Sequence, residues 1–98
     1  MTKNRIEEIV YQTITDYCDA NNISTTVDKN TPLIGEGKIC TSIGLVNIIV
    51  DIETAFLEEN AEISLTSEEA MSLRISPFRS AGALCNFIAR QLGLEDKA

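Results

Sequence analysis

Apolar residues recur at Ile6, Ile9, Val10, Ile14, Tyr17 and Cys18, three and four positions apart, which gathers them on one stripe of a helix. This first helix is predicted to end near Ala20, because Asn21 and Asn22 tolerate left-handed backbone geometry and offer a stop. Residues 23–41 lose the period. They mix Thr, Ser, Asp, Asn, Pro32, Gly35 and Gly37, and their scattered apolar positions, Val27, Leu33, Ile34 and Ile39, predict a long ordered loop pinned to a core.

Helical periodicity resumes at Ser42 and runs to about Glu59, with Thr41 or Ser42 suited to cap the free amides at the start. At about 100° per residue, Leu45, Ile48, Ile49, Ile52 and Phe56 share the face that must meet the core. Nearly opposite lie Ile43, Asn47, Val50 and Thr54, a stripe that is half apolar although it should look at solvent. Ile63 and Leu65 then lead into Thr66, Ser67, Glu68 and Glu69, a hydroxyl-then-acid pattern that suits a helix start, so a short third helix through about Leu73 is expected. Pro77 breaks the pattern. Ser80 can cap a last helix carrying Ala81, Leu84, Cys85, Ile88 and Leu92 at helical spacing, with Gly93 placed to end it. The prediction is an all-α, four-helix bundle in one domain, residues 1–98, with a short third helix and a long loop between the first and second.

Composition narrows what such a bundle can do. At 98 residues and 44% hydrophobic, the chain supports one modest core and no elaborate catalytic cleft. A formal charge of -7, from 15 acidic and 8 basic residues, repels phosphate backbones and anionic lipid. A protein with a basic docking surface is therefore the expected partner, with no role for nucleic acid or membrane. Histidine is absent, which removes the commonest general base near neutral pH and the commonest metal ligand. No metal site is expected. Cys18, Cys40 and Cys85 are odd in number and widely separated, which predicts buried free thiols in a reducing compartment. No segment approaches the roughly 20 apolar residues needed to span a bilayer, so a cytoplasmic protein is expected.

An enzyme would need a nucleophile with a base, or paired acids in a cleft. Ser42 has no histidine to activate it, and the nearby Glu36 and Asp51 could do so only through an unusual arrangement, so no catalysis by this chain alone is expected. Gly35-Glu36-Gly37-Lys38 lacks the spacing and the preceding strand of a nucleotide-binding loop and reads as a turn. Ser42 differs because of its place at a helix start. Unpaired amides and the positive end of the helix dipole would stabilise a phosphodiester esterified there, although most serines at helix starts are merely caps.

The stretch Leu33-Ile34-Gly35-Glu36-Gly37-Lys38-Ile39-Cys40-Thr41-Ser42-Ile43-Gly44-Leu45-Val46-Asn47-Ile48-Ile49-Val50-Asp51-Ile52-Glu53 resembles the loop and second helix of the acyl carrier protein family. Thr41, Ser42 and Ile43 stand at the family's Asp-Ser-Leu attachment motif. Phe56 falls at its usual aromatic position, and Ser80-Ala81-Gly82-Ala83-Leu84-Cys85-Asn86-Phe87-Ile88 is similar to the Thr-Val-Gly-Asp-Leu-Val-Asp-Tyr-Ile pattern common in its last helix. The resemblance implies that Ser42, flanked by Thr41 and Ile43, receives 4'-phosphopantetheine from coenzyme A through a separate phosphopantetheinyl transferase. The arm's thiol would then carry acyl or aminoacyl groups as thioesters between acyl-loading and acyl-accepting enzymes, as in fatty acid or polyketide biosynthesis, with the carrier a monomer. The stretch from Met71 to Arg79 is longer than the matching region of fatty-acid-type carriers and points to a freestanding carrier of a specialised pathway. The alternative is an unmodified helical interaction module that kept the bundle and lost loading.

Two departures from the family stand out. The aspartate before the serine is Thr41, so a carboxylate that helps present the serine is missing. A commonly acidic position on the second helix is Asn47, and the expected partner surface of Ile43, Val46, Asn47, Val50 and Thr54 carries no charge. Cys40, two residues from Ser42, could meet a thioester, but burial as a small hydrophobe is the expectation. The uncharged surface predicts a partner complex whose affinity, measured by calorimetry across a salt series, persists at moderate ionic strength. Collapse of binding there contradicts it.

Overall fold

The computed structural model describes residues 2–34, 37, 39–63, 65 and 77–93. Among these residues lie three α-helices, α1 (Lys3–Ala20), α2 (Ser42–Glu58) and α3 (Ala81–Gln91), with a 3-10 turn at Pro77–Arg79 leading into the last. No strand occurs among the described residues, and the fold is all-α. The short helix expected over residues 66–73 lies outside them. No helix is long and apolar enough to cross a membrane among the residues described.

Each helix begins with a hydroxyl cap. Thr2 Oγ1 accepts from Arg5 N at 3.1 Å, Thr41 Oγ1 from Gly44 N at 3.0 Å and Ser80 Oγ from Ala83 N at 3.1 Å, each satisfying one of the orphan amides of a first turn. α1 thus starts ahead of the first apolar residue of its stripe, because the cap and not the stripe decides where a helix begins. The ends are equally regular. Asn22, Asn60 and Gly93 adopt positive φ of 58°, 60° and 74° just beyond α1, α2 and α3. In the first two cases the next amide folds back across the last turn, Ile23 N to Cys18 O at 2.8 Å and Ala61 N to Phe56 O at 2.9 Å. This left-handed closure suits Asn and Gly because they carry the smallest steric penalty there.

The core is filled by Ile6, Ile9, Val10, Ile14 and Cys18 from α1, Ile48, Ile49, Ile52 and Phe56 from α2, and Ala81, Leu84, Cys85, Phe87, Ile88 and Ala89 from α3. α1 packs against both other helices. Leu45, predicted for the core face, is half-buried, as is Leu92 at the end of α3. Phe87 and Ala89 lie outside the predicted stripe of α3 yet are buried, because that helix packs on α1 and on the 3-10 turn and meets the long loop at its first turn.

That loop is ordered by hydrogen bonds as well as by its apolar anchors. Asp28 Oδ1 accepts from Asn30 N at 2.8 Å, while the buried Thr31 hydroxyl accepts from Asp28 N at 2.8 Å and faces the Thr26 carbonyl at 3.4 Å. The turn so formed points two carbonyls at α3, Thr31 O accepting from Ala81 N at 2.8 Å and Lys29 O from Gly82 N at 2.9 Å. A side chain at Gly82 would stand 2.9 Å from the Lys29 carbonyl oxygen, so the approach depends on glycine. Beyond the turn Leu33 and Cys40 are buried, Val27, Ile34 and Ile39 pack at the edge of the core, and the Cys40 thiol donates to Leu33 O at 3.3 Å. Thr31→Val, which keeps the shape and deletes the hydroxyl, should lower unfolding free energy by about 1–3 kcal/mol, read as a lower urea midpoint at unchanged slope.

Candidate functional site

The loop delivers the chain to Thr41, whose extended backbone (φ -79°, ψ 174°) turns it into α2. Of the two residues suited to cap this helix, Thr41 does so through its hydroxyl, and its carbonyl accepts from Leu45 N at 2.8 Å. Ser42 is the first helical residue, and no acidic side chain stands in the first turn. The first turn of this 17-residue helix therefore carries no carboxylate of its own to oppose an anion. Thr41 and Ile43 on either side of Ser42 are both exposed.

Gly44 completes the turn. In a helix interior glycine costs about 1 kcal/mol relative to alanine, so its presence calls for a compensating contact. Tyr17 of α1 supplies it: a β-carbon at Gly44 would collide with the Tyr17 hydroxyl, lie 2.8 Å from the ring carbon that bears it, and stand 3.2 Å from Cys40 Cβ. The first turn of α2 is seated directly on the tyrosine ring.

The outward face of α2 carries Ile43, Val46, Val50 and Leu57 at 76%, 57%, 52% and 64% exposure, with Asn47 and Thr54 exposed among them. Ile43, Val46, Asn47, Val50 and Thr54 were expected on this surface; Leu57 was not, although its place seven residues after Val50 is a signal the helical period offered. Two grooves flank the stripe. One, of about 470 Å³, is lined by Val50, Glu53, Thr54, Leu57, Glu62 and Ile63; the other, of about 360 Å³, by Asp16, Tyr17, Ala20, Asn21, Asn47, Val50 and Asp51. Val50 borders both. Among the described residues no lysine or arginine lines either groove, whereas Asp16, Asp51, Glu53 and Glu62 do. The stripe is thus apolar at its centre and acidic at its edges, a rim of charge that lies on three different elements and so escapes any one helical wheel.

Two carboxylates also do structural work near this face. Glu53 Oε2 accepts from Leu65 N at 2.7 Å, holding the buried Leu65 beside α2. Glu59, at the end of α2, accepts from Arg5 Nε at 3.0 Å while the same guanidinium reaches Glu8, which ties the start of α1 to the end of α2. The hydrogen bond and charge of Arg5 hold the Glu59 carboxyl below its usual range. A third cleft, of about 450 Å³, lies between α1, the loop and α3, lined by Glu7, Tyr11, Asp28, Lys29, Asn30, Gly82 and Asn86. None of the expected site residues reaches it.

No protein family, curated protein or solved structure matches this chain. Its chemistry has to be argued from its own residues. Among those described, no group of three or more Cys, Asp or Glu side chains is placed to hold a metal ion.

Cys18, Cys40 and Cys85 are all buried thiols and none is in a disulfide, as expected. Burial raises the Cys18 thiol and pushes Cys85 up to about 12, with the nearby Glu7 adding to the effect and a hydrogen bond from Tyr11 opposing it. The Cys18 and Cys85 thiols stay protonated and unreactive near neutral pH. Because the folded Cys85 holds its proton above the ordinary 9.0 at which it ionises in the unfolded chain, its contribution to stability is complete below about pH 9 and lost as pH climbs toward 12. Denaturant titrations should show unfolding free energy falling across that window, and Cys85→Ala should flatten the fall.

Proposed function

We propose that this protein is an acyl-carrier-type domain that bears 4'-phosphopantetheine on Ser42 and presents acyl or aminoacyl groups to partner enzymes. The observation that carries the reading is the placement of Ser42 as the first residue of α2, between exposed neighbours, with the capping role that most serines at helix starts play filled by Thr41. The first turn suits the group: it is amide-rich, has no carboxylate, and lies at the positive end of the helix dipole, where a phosphodiester is favoured. The arm supplies a thiol that holds cargo as a thioester. The chain's own residues supply the platform and the landing surface, an apolar stripe of Ile43, Val46, Val50 and Leu57 starting one residue beyond the serine.

In this reading the fold is a four-helix bundle. The carrier works as a monomer in the cytoplasm, is loaded by a phosphopantetheinyl transferase, and needs no catalytic residue or metal of its own. Its partners meet the stripe with apolar side chains and its acidic edges with lysine or arginine, which act mainly on encounter rate. The same stripe supports a second reading, an unmodified helical interaction module, in which α2 binds partners and Ser42 stays bare. Thr41 in place of the family's aspartate is the feature that favours it.

Co-expression with a broad-specificity phosphopantetheinyl transferase separates the two. Intact mass should show one added phosphopantetheine on the wild type and none on Ser42→Ala; an unloaded wild type, under conditions that load an ordinary carrier, leaves the interaction module. Thr41→Asp keeps a good cap, so its stability should stay within about 0.5 kcal/mol of wild type, while its loading should be faster.

A further inference from the structure

We propose that Tyr17 is a positioning residue for the attachment turn, setting where the first turn of α2 sits and hence how Ser42 is presented; this rests on the carrier reading above. Two observations point the same way. Gly44, two residues past Ser42, is buried with no room for a side chain, and the group that takes the room is the Tyr17 ring and hydroxyl. The same tyrosine lines the groove between α1 and α2 together with Asn47 and Val50, so one half-buried side chain touches both the partner-facing surface and the backbone of the turn that carries the serine.

The physical content is a rigid seat. The first turn of a helix has few intrahelical hydrogen bonds of its own, and here they are the bonds from Gly44 N and Leu45 N to Thr41. The hydroxyl end of the half-buried tyrosine against Gly44 on one side, with the buried Cys40 beside it, restricts where that turn can sit relative to α1. A β-carbon at 44 must push α2 away from Tyr17 or push Tyr17 out of its place. Either way the turn shifts and Ser42 with it. The contact is a matched pair: removing the ring takes away the turn's seat, and with the seat gone an added methyl at 44 has nothing left to disturb.

The test compares wild type, Gly44→Ala, Tyr17→Ala and the double variant, loaded by one transferase with kcat and KM for the carrier resolved, and with thermal unfolding followed in parallel. Tyr17→Ala and Gly44→Ala should each lose up to about tenfold in kcat of loading with KM changed less, and the double variant should load about as well as Tyr17→Ala alone, a coupling of the size close contacts show. A Gly44→Ala or a Tyr17→Ala variant that loads like wild type, or a Gly44→Ala change that costs the same factor in the wild-type and Tyr17→Ala backgrounds, overturns the proposal. Should Gly44→Ala fail to fold, a double variant that folds and loads supports it, and one that stays unfolded overturns it.

Hydrogen exchange at the amides of residue 44 and Leu45 keeps this separate from the carrier reading. If the wild type takes no phosphopantetheine, the carrier reading falls on its own. Faster exchange at those two amides in Gly44→Ala and in Tyr17→Ala, with no further increase in the double variant, then still upholds the seat. Equal exchange in all four proteins removes it.

Discussion

The amides of Ala81 and Gly82, at the start of α3, donate to the carbonyls of Thr31 and Lys29, and the least regular part of the fold hangs on that pair of bonds. A connection of some twenty residues between α1 and α2 has a large conformational entropy to lose, and scattered apolar anchors alone do not give it one path. Here a compact turn from Thr26 to Thr31 is closed by the side chains of Asp28 and Thr31 and then spent on two amides that α3 cannot satisfy internally. The loop caps the helix and the helix orders the loop. Everything downstream, the burial of Leu33 and Cys40 and the approach of Thr41, follows from that mutual satisfaction.

α2 is the element on which the two sides of the molecule meet. Its inner face, Ile48, Ile49, Ile52 and Phe56, is sealed into the core, so the helix is a rigid element rather than a mobile one. Its outer face leaves Ile43, Val46, Val50 and Leu57 in water, a run of apolar side chains along one helix that a solitary domain gains nothing by exposing. The carboxylates of Asp16, Asp51, Glu53 and Glu62 stand beside it. A surface of this kind combines an apolar centre, which gives affinity, with a charged rim, which steers approach and discourages wrong partners.

Much of this was legible along the chain, and the reasons are local. Ile6 to Cys18 and Ile48 to Phe56 declare their helices because a period of three and four has no other use, and Asn22 and Gly93 mark ends because few residues accept left-handed backbone. The second stripe of α2 could be read from the same wheel. What could not be read involves partners far apart in the chain. Arg5 and Glu59 are 54 residues apart, Glu53 and Leu65 twelve, and nothing in the neighbourhood of either member names the other. Phe87 and Ala89 looked like flanking positions until the 3-10 turn and the loop were placed around α3. Thr41 and Ser42 were equal candidates for the cap until the backbone turned at Thr41.

The sequence alone therefore determined the three described helices, where each of them ends, the buried thiols and the candidate serine at the head of α2, since each depends on side-chain chemistry within a few residues of itself. Only the tertiary structure decided how the long loop is tied down, which acids border the exposed stripe, and why residue 44 is glycine. Those answers depend on what a distant segment brings within a few ångströms: the carbonyls of Lys29 and Thr31 to α3, the carboxylate of Asp16 to α2, and the ring of Tyr17 to the turn that begins at Ser42.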